Sequence, residues 1–255
     1  MDSPLLIHPS TTIEIQAKPE IAAKPETSPP FLIGQILIRI ALVFAIAAAC
    51  IVANHTTSNS FEVSVVNAVA NTPTGRRFHL MFVSNGKISQ FLYSSNKIIE
   101  QVIYPTGSFP RKPINHITIH LSGQNLTDMV AVHTGFKPGE FSVVLGHGFL
   151  SSENPAIAFR IVLHRAMASV RVWDGPEEVV SAMVEYLAMQ ATLKTFGTID
   201  ARLDGSCWSP GFLRYSESIE NGFVARLNQQ LRDRYTGLGL LNRSMCEAYK
   251  ASLTT

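Results

Sequence analysis

Apolar and polar residues alternate along two stretches of the chain, and two further short stretches are rich in apolar residues; all four predict β-strands. The four stretches are 61–66, 114–121, 130–134 and 141–145. In the second stretch, the apolar side chains fall on one face and His116, Thr118 and His120 fall on the other. The sequence GFKPG at 135–139 predicts a turn between the last two strands.

Longer segments repeat their apolar residues every three or four positions, which predicts amphipathic helices. We predict these helices from 84 or 85 to 103, from 155 to about 172, from 176 onward, from 210 to 231, and from 242 to 251. Asn154 is suited to cap the second helix, and Pro155 to occupy its first position. The stretch NTPTG at 71–75 predicts a turn. Strands that precede helices indicate an α+β domain.

The N-terminal part of the chain has a different composition. Residues 1–30 combine prolines with polar residues and predict a disordered tail. Residues 31–53 are almost entirely apolar and, as a helix, would be long enough to span a bilayer as a signal anchor if Arg39 reaches the headgroups. A cleaved signal peptide is the alternative interpretation. We expect 54–60 to be a linker and 61–255 to be the domain.

Charge and glycosylation signals predict the side of the membrane on which the domain lies. Basic residues before the apolar segment favour a cytosolic N-terminus. They are Lys18, Lys24 and Arg39. Three Asn-x-Ser/Thr sequences provide glycosylation candidates at Asn54, Asn125 and Asn242. We therefore expect a single-pass membrane protein with an extracellular or lumenal domain; secretion after signal cleavage is the alternative.

Net charge and cysteine content narrow the functional classes. The formal charge of +2 does not indicate nucleic-acid binding. Of the three cysteines, Cys50 lies in the apolar segment. Cys207 and Cys246 either form one disulfide or remain two separate thiols, and the sequence leaves both alternatives open.

The stretch VLHRAMA at 162–168 is related to a zinc-peptidase motif but lacks its chemistry. In H-E-x-x-H helices two histidines one turn apart bind zinc, and the glutamate activates the metal-bound water. His164 occupies the first position here, Arg165 the glutamate position and Ala168 the second histidine position. A guanidinium accepts no proton and repels a dication, so we expect no catalytic residues at these degenerate positions.

Three blocks carry a resemblance to a known family: VNAVANTPTGRRF at 66–78, VLH at 162–164 with Glu185-Tyr186, and FLRYSESIENGFVARLN at 212–228. The chain resembles the plant basic secretory protein family, a group of zinc-peptidase-like proteins, from about 61 to 249. The resemblance implies a zincin-like domain in which a small mixed sheet packs on helices. It also implies Glu185 as a candidate metal ligand. The family commonly has a cysteine near Tyr215, where this chain has Ser216, so the resemblance implies no disulfide pairing.

The remaining candidate ligands do not complete a zinc site. His164 and Glu185 are vestigial candidates only, because two ligands hold zinc poorly. We expect His164 to be a partly buried histidine bonded to a backbone carbonyl or carboxylate, and Arg165 to pair with Glu185 or Glu178. His116 and His120 share a strand face and are a further metal candidate without a third partner.

We therefore predict a membrane-anchored pseudopeptidase that binds a protein or peptide, in a setting of plant defence or the cell wall that the resemblance implies. No cofactor is expected. An active zinc metallopeptidase with an unusual metal site is the alternative, and zinc would be required only there. A third hypothesis is an interaction platform whose cleft is closed by side chains. The sequence does not indicate the oligomeric state.

Overall fold

The computed structural model describes residues 36–46, 61–105, 109–123, 126, 129–197, 206–233 and 243–253. The chain divides into two units, Met1–Ser58 and Asn59–Thr255. In the first unit, residues 36–46 form an exposed helix, α1. No helix among the described residues is both long enough and apolar enough to cross a membrane. The rest of the predicted anchor, the predicted tail and the predicted linker lie outside the described residues.

The second unit contains a four-stranded mixed sheet. Its strands are β1 (Glu62–Asn67), β2 (His116–Leu121), β3 (Val130–Thr134) and β4 (Glu140–Leu145). The spatial order is β1-β2-β4-β3. β1 and β4 each pair with β2 in parallel, and β3 runs antiparallel to β4 at one edge. All four predicted strands are present, although β2 begins two residues later than the alternation suggested.

Seven helices accompany the sheet in the described part of this unit. They are α2 (Pro73–Phe78), α3 (Lys87–Ile103), α4 (Pro155–Arg171), α5 (Glu177–Phe196), α6 (Pro210–Ile219), α7 (Phe223–Arg232) and α8 (Arg243–Ser252). A π-helical segment, His79–Val83, follows α2, and a 3₁₀ segment, His147–Ser151, precedes α4. The predicted α+β class is confirmed, because a small mixed sheet and a set of helices form one unit.

The turn predicted at 71–75 is present only at Asn71 and Thr72, because Pro73–Gly75 form the beginning of α2. The hydroxyl of Thr72 accepts a hydrogen bond from the backbone N–H of Gly75 at 3.0 Å, and Pro73 occupies the first helical position. Thr-Pro is therefore a helix start here. Gly75 is required by close packing, since a Cβ at this position would lie 1.9 Å from the carbonyl oxygen of Val69.

The single helix predicted over 210–231 is also wrong, because two helices, α6 and α7, occupy this region. Gly222 adopts a left-handed conformation (φ 79°) between them. The Glu217 carboxylate accepts hydrogen bonds from the backbone N–H groups of Gly222 at 2.7 Å and Val224 at 2.9 Å. The apolar spacing continues across the break, so periodicity alone did not reveal it.

The helix α4 lies in the centre of the core. Asn154 caps it as predicted, since its side chain accepts a hydrogen bond from the Ile157 N–H at 3.2 Å. Helices α3 and α5 pack against α4, and α4 also contacts strand β3. A cluster of aromatic rings surrounds its first turns, with Phe82 and Phe159 centroids 4.1 Å apart. This packing fixes the rotation of α4 and so decides which of its side chains reach solvent.

Candidate functional site

The helix α4 has one buried face and one face that borders a surface groove. His164 and Ala168 have no exposed surface. Arg165 and Ser169, one position further along, line the groove. Successive residues on an α-helix are rotated by about 100°, so neighbours in sequence face different environments. Of the degenerate motif positions, only Arg165 therefore reaches the groove.

His164 is held in the interior by two hydroxyl groups from neighbouring helices. Its Nδ1 lies 2.7 Å from the Ser95 hydroxyl of α3, and its Nε2 lies 3.3 Å from the Thr195 hydroxyl of α5. The Ser95 hydroxyl donates its only proton to the Phe91 carbonyl at 2.7 Å. The Thr195 hydroxyl likewise donates to the Ala191 carbonyl at 2.8 Å, so the shorter of the two ring contacts, 2.7 Å at Nδ1, favours a ring proton on Nδ1 that is donated to Ser95.

The interior position of His164 keeps its imidazole neutral. Burial, together with the nearby positive charge of Arg160, lowers the pKa of His164 to about 4. The expectation of a partly buried histidine with a carbonyl or carboxylate partner is wrong in both respects. The ring is fully buried, and hydroxyl groups are its partners.

Arg165 forms an ion pair across the groove. Its Nη2 lies 2.5 Å from Oε1 of Glu185 on α5, and each side chain is about two-fifths exposed (39% and 40%). Of the two partners considered from the sequence, Glu185 is the one that Arg165 contacts. The backbone carbonyl of Arg165 accepts a hydrogen bond from the Ser169 hydroxyl at 3.1 Å.

The groove runs between α4 and α5 and comprises two cavities with Arg165 in the lining of both. The first cavity, about 670 Å³, is apolar apart from the ion pair and Thr192. Its remaining lining residues are Ile157, Ile161, Ala188, Met189 and Phe196. The second cavity, about 420 Å³, has a polar character and reaches the edge strand β3. Its lining includes Val130, Val132, Ser169, Asp174, Glu177 and Ser181.

Buried cations fix the end of α4 beside the second cavity. The Lys112 ammonium donates a hydrogen bond to the Val172 carbonyl at 2.6 Å and lies 3.8 Å from the Asp174 carboxylate. Burial lowers the pKa of Lys112. The Arg171 guanidinium contacts Glu100 at 2.6 Å. These contacts hold the segment between α4 and α5, on which Asp174 lies.

The donor set in the groove does not fit a zinc ion. Zinc sites in proteins use histidine, cysteine and carboxylate ligands. The groove offers carboxylates but no imidazole or thiol: Glu185 is already paired with a permanent cation, and Asp174 and Glu177 line the second cavity. The other vestigial candidate, His164, bonds to α3 and α5 in the interior. Within the described residues there is no group of three or more His, Cys, Asp or Glu side chains arranged to hold a metal.

His116 and His120 lie on one face of β2, as expected, but too far apart to share a metal. At about 3.3 Å per residue, four residues along a strand separate them by about 13 Å. The Nε2 of His116 lies 2.8 Å from the Ser64 hydroxyl, and its Nδ1 lies 3.4 Å from the Glu62 carboxylate. The shared-metal interpretation of these two histidines is therefore wrong.

The two bridged cysteines are not among the residues that line the groove, and the glycosylation candidates lie outside the described residues. The structure joins Cys207 and Cys246, which are 39 positions apart in the sequence, in a disulfide. This bridge connects the segment before α6 to α8. Asn54, Asn125 and Asn242 lie outside the described residues.

Several groove residues were missed by the sequence reasoning. Ser169 and Ser181 are each one helical turn from a member of the ion pair, and this spacing was the available signal. No sequence pattern indicated that Ser95 and Thr195 contact His164, because this contact depends on how α3, α4 and α5 pack together.

The fold and the groove define an α+β domain in which a pair of helices and an edge strand border an open cleft. A family model described as "Peptidase of plants and bacteria" matches residues 58–249, most of the chain. The chain therefore belongs to this family, and the resemblance found in the sequence is confirmed. No curated protein and no solved structure gives a significant match.

Proposed function

We propose that this protein is a non-catalytic member of its peptidase family, with a zincin-like domain that binds a peptide segment in the groove between α4 and α5. The Arg165–Glu185 ion pair is the observation that carries the proposal. It places a permanent cation in the cleft and engages the carboxylate that the family resemblance suggested as a ligand. A guanidinium cannot act as the general base of a peptidase.

The geometry of α4 supports a specific comparison with the H-E-x-x-H helix. Both histidines of that motif must face the same cleft to share a metal. In this chain Arg165 and Ser169 face the groove, whereas His164 and Ala168 face the core. At the motif positions, Arg165 replaces the glutamate, Ala168 replaces the second histidine, and the remaining histidine, His164, is buried. None of the three catalytic groups is then available in the groove.

The remaining groups suit peptide binding without hydrolysis. A peptide bond offers one carbonyl acceptor and one N–H donor. Arg165 supplies donors and Glu185 supplies acceptors in the same part of the groove. The apolar side chains beside them are exposed, and a bound apolar side chain would cover their surface and shield it from water, which favours binding. Backbone recognition and an apolar contact together support the binding of a peptide.

The test uses the purified full chain. After incubation with zinc and removal of the excess, we expect no stoichiometric metal and no chelator-sensitive cleavage of a peptide library. The same library, labelled with a fluorophore, should bind and increase in anisotropy. Ile161→Glu should weaken this binding, while Ile219→Glu, on an exposed apolar residue of α6, should leave it unchanged. Bound zinc together with cleavage would refute the proposal.

We also propose that residues 31–53 anchor the protein in a membrane, with the domain on the extracellular or lumenal side and a role in plant defence or at the cell wall. The apolar composition of the segment, the preceding basic residues and the three glycosylation candidates support this. Membrane fractionation of expressing cells, with and without glycosidase, tests it. A soluble, unglycosylated protein would contradict it.

A further inference from the structure

We infer that the groove selects peptide segments in which a bulky apolar side chain and a basic side chain lie about 12 Å apart, a distance that follows from helix geometry. This inference rests on the proposed peptide-binding function and specifies its ligand. The Arg165–Glu185 ion pair lies between two cavities of different chemistry, so one ligand that fills both must carry two different side chains.

The first cavity matches a large aliphatic or aromatic side chain. Ile157 and Ile161 expose 40% and 42% of their surface here, although both belong to the central helix α4. Met189 and Phe196 of α5 complete the apolar lining. The volume of about 670 Å³ exceeds that of any single side chain. A leucine or phenylalanine would therefore enter without repacking, and it would bury apolar surface on both helices.

The second cavity matches a basic side chain. Asp174 and Glu177 line it and are exposed. The cation in this lining, Arg165, is already compensated by Glu185. The Lys112 ammonium, 3.8 Å from Asp174, offsets about one of the two carboxylate charges. The positive end of the α5 dipole corresponds to about half a charge, so the Glu177 carboxylate leaves the cavity with a net negative charge.

The spacing follows from the helix that borders both cavities. Ile161 and Ser169 lie on opposite sides of Arg165, each one turn away, and line the first and the second cavity respectively. At 1.5 Å per residue they are about 12 Å apart along α4. An extended peptide covers this distance in about four residues. The predicted ligand therefore carries its apolar and basic residues about four positions apart.

The experiment measures binding of the full chain to labelled dodecapeptides that contain one phenylalanine and one arginine at separations of one to eight residues. Peptides with separations near four should bind best. Replacing their arginine by glutamate should weaken binding about tenfold, or about 1.4 kcal/mol. The Asp174→Lys, Glu177→Lys double variant should reverse the preference and favour the glutamate peptides. Glu178→Lys is the matched control, because Glu178 is exposed on the same turn and does not line the cavity.

The outcomes separate this inference from the proposed function. Binding that is insensitive to spacing, or a preference for arginine that survives the double charge reversal, would overturn the inference and leave peptide binding intact. Failure of every peptide to bind the wild-type chain would overturn both. Retention of spacing preference in Glu178→Lys and its loss in Ile161→Ser would support the two-site arrangement. Circular dichroism melting of each variant verifies that it is folded.

Discussion

Nδ1 of His164 lies 2.7 Å from the Ser95 hydroxyl, so the histidine that marks the motif in the sequence joins α4 to α3 in the core. Its sequence neighbour Arg165 lies in the groove. The residue that looked most like a metal ligand is thus a structural residue. The cleft chemistry belongs to Arg165, Ser169 and Glu185.

His164 should make the domain less stable in acid. Its pKa is lowered from 6.5 to about 4, so the unfolded chain binds the proton first as the pH falls. The free energy of unfolding that neutral His164 contributes is fully present above pH 6.5. It is lost as the pH falls towards 4, by up to about 3 kcal/mol. Urea unfolding at several pH values should show a shallower pH dependence for His164→Gln than for the wild type. His133→Gln, at an exposed strand position, is the control; an equal effect of both variants would contradict the assignment.

The Arg165–Glu185 pair should contribute little to stability. Both side chains are partly exposed, so we expect a coupling energy of about 0.5–1 kcal/mol. A double-mutant cycle with Arg165→Ala and Glu185→Ala, measured by urea unfolding, gives this value. Strictly additive effects would mean that the contact does not exist in solution. Arg226–Glu220, an ion pair of similar exposure near α7, is a suitable comparison.

Zinc binding should be restorable only on the groove face. Arg165→His with Ser169→His places two imidazoles one turn apart opposite Glu185, which is a plausible zinc ligand set. We expect the double variant to retain zinc on gel filtration and to melt at a higher temperature with zinc present. Ala168→His, which would pair with His164 in the core, should instead destabilise the domain by about 1–3 kcal/mol through overpacking. Zinc binding by the Ala168→His variant alone would show that His164 faces the cleft.

The disulfide should contribute to the attachment of α8. Closing a loop of this size in the unfolded chain is worth up to about 4 kcal/mol in the chain-entropy model. The double variant Cys207→Ser, Cys246→Ser should therefore lower the free energy of unfolding by up to about 4 kcal/mol. Its helix α8 should also become more accessible to proteases. Cys50→Ser, outside the described residues, is the control for loss of a thiol. Equal stability with and without reductant would argue against the bridge.

The break between α6 and α7 should depend on Glu217. Removing its carboxylate leaves the N–H groups of Gly222 and Val224 without their capping acceptor. Glu217→Ala should therefore lower the unfolding free energy by about 1–2 kcal/mol. Glu247→Ala, on α8, is a control of the same chemistry. Identical unfolding midpoints for the two variants would contradict the capping role.

The amino-acid sequence by itself determined all four strands and most of the helices, because alternation, helical spacing and caps such as Asn154-Pro155 act over short distances along the chain. It also determined the family and the loss of a complete zinc-binding motif. Only the tertiary structure decided which side of α4 faces solvent, since that depends on how α3, α5 and β3 pack around it. Because adjacent residues on α4 point in directions about 100° apart, this packing buries His164 in the core and leaves Arg165 in the cleft.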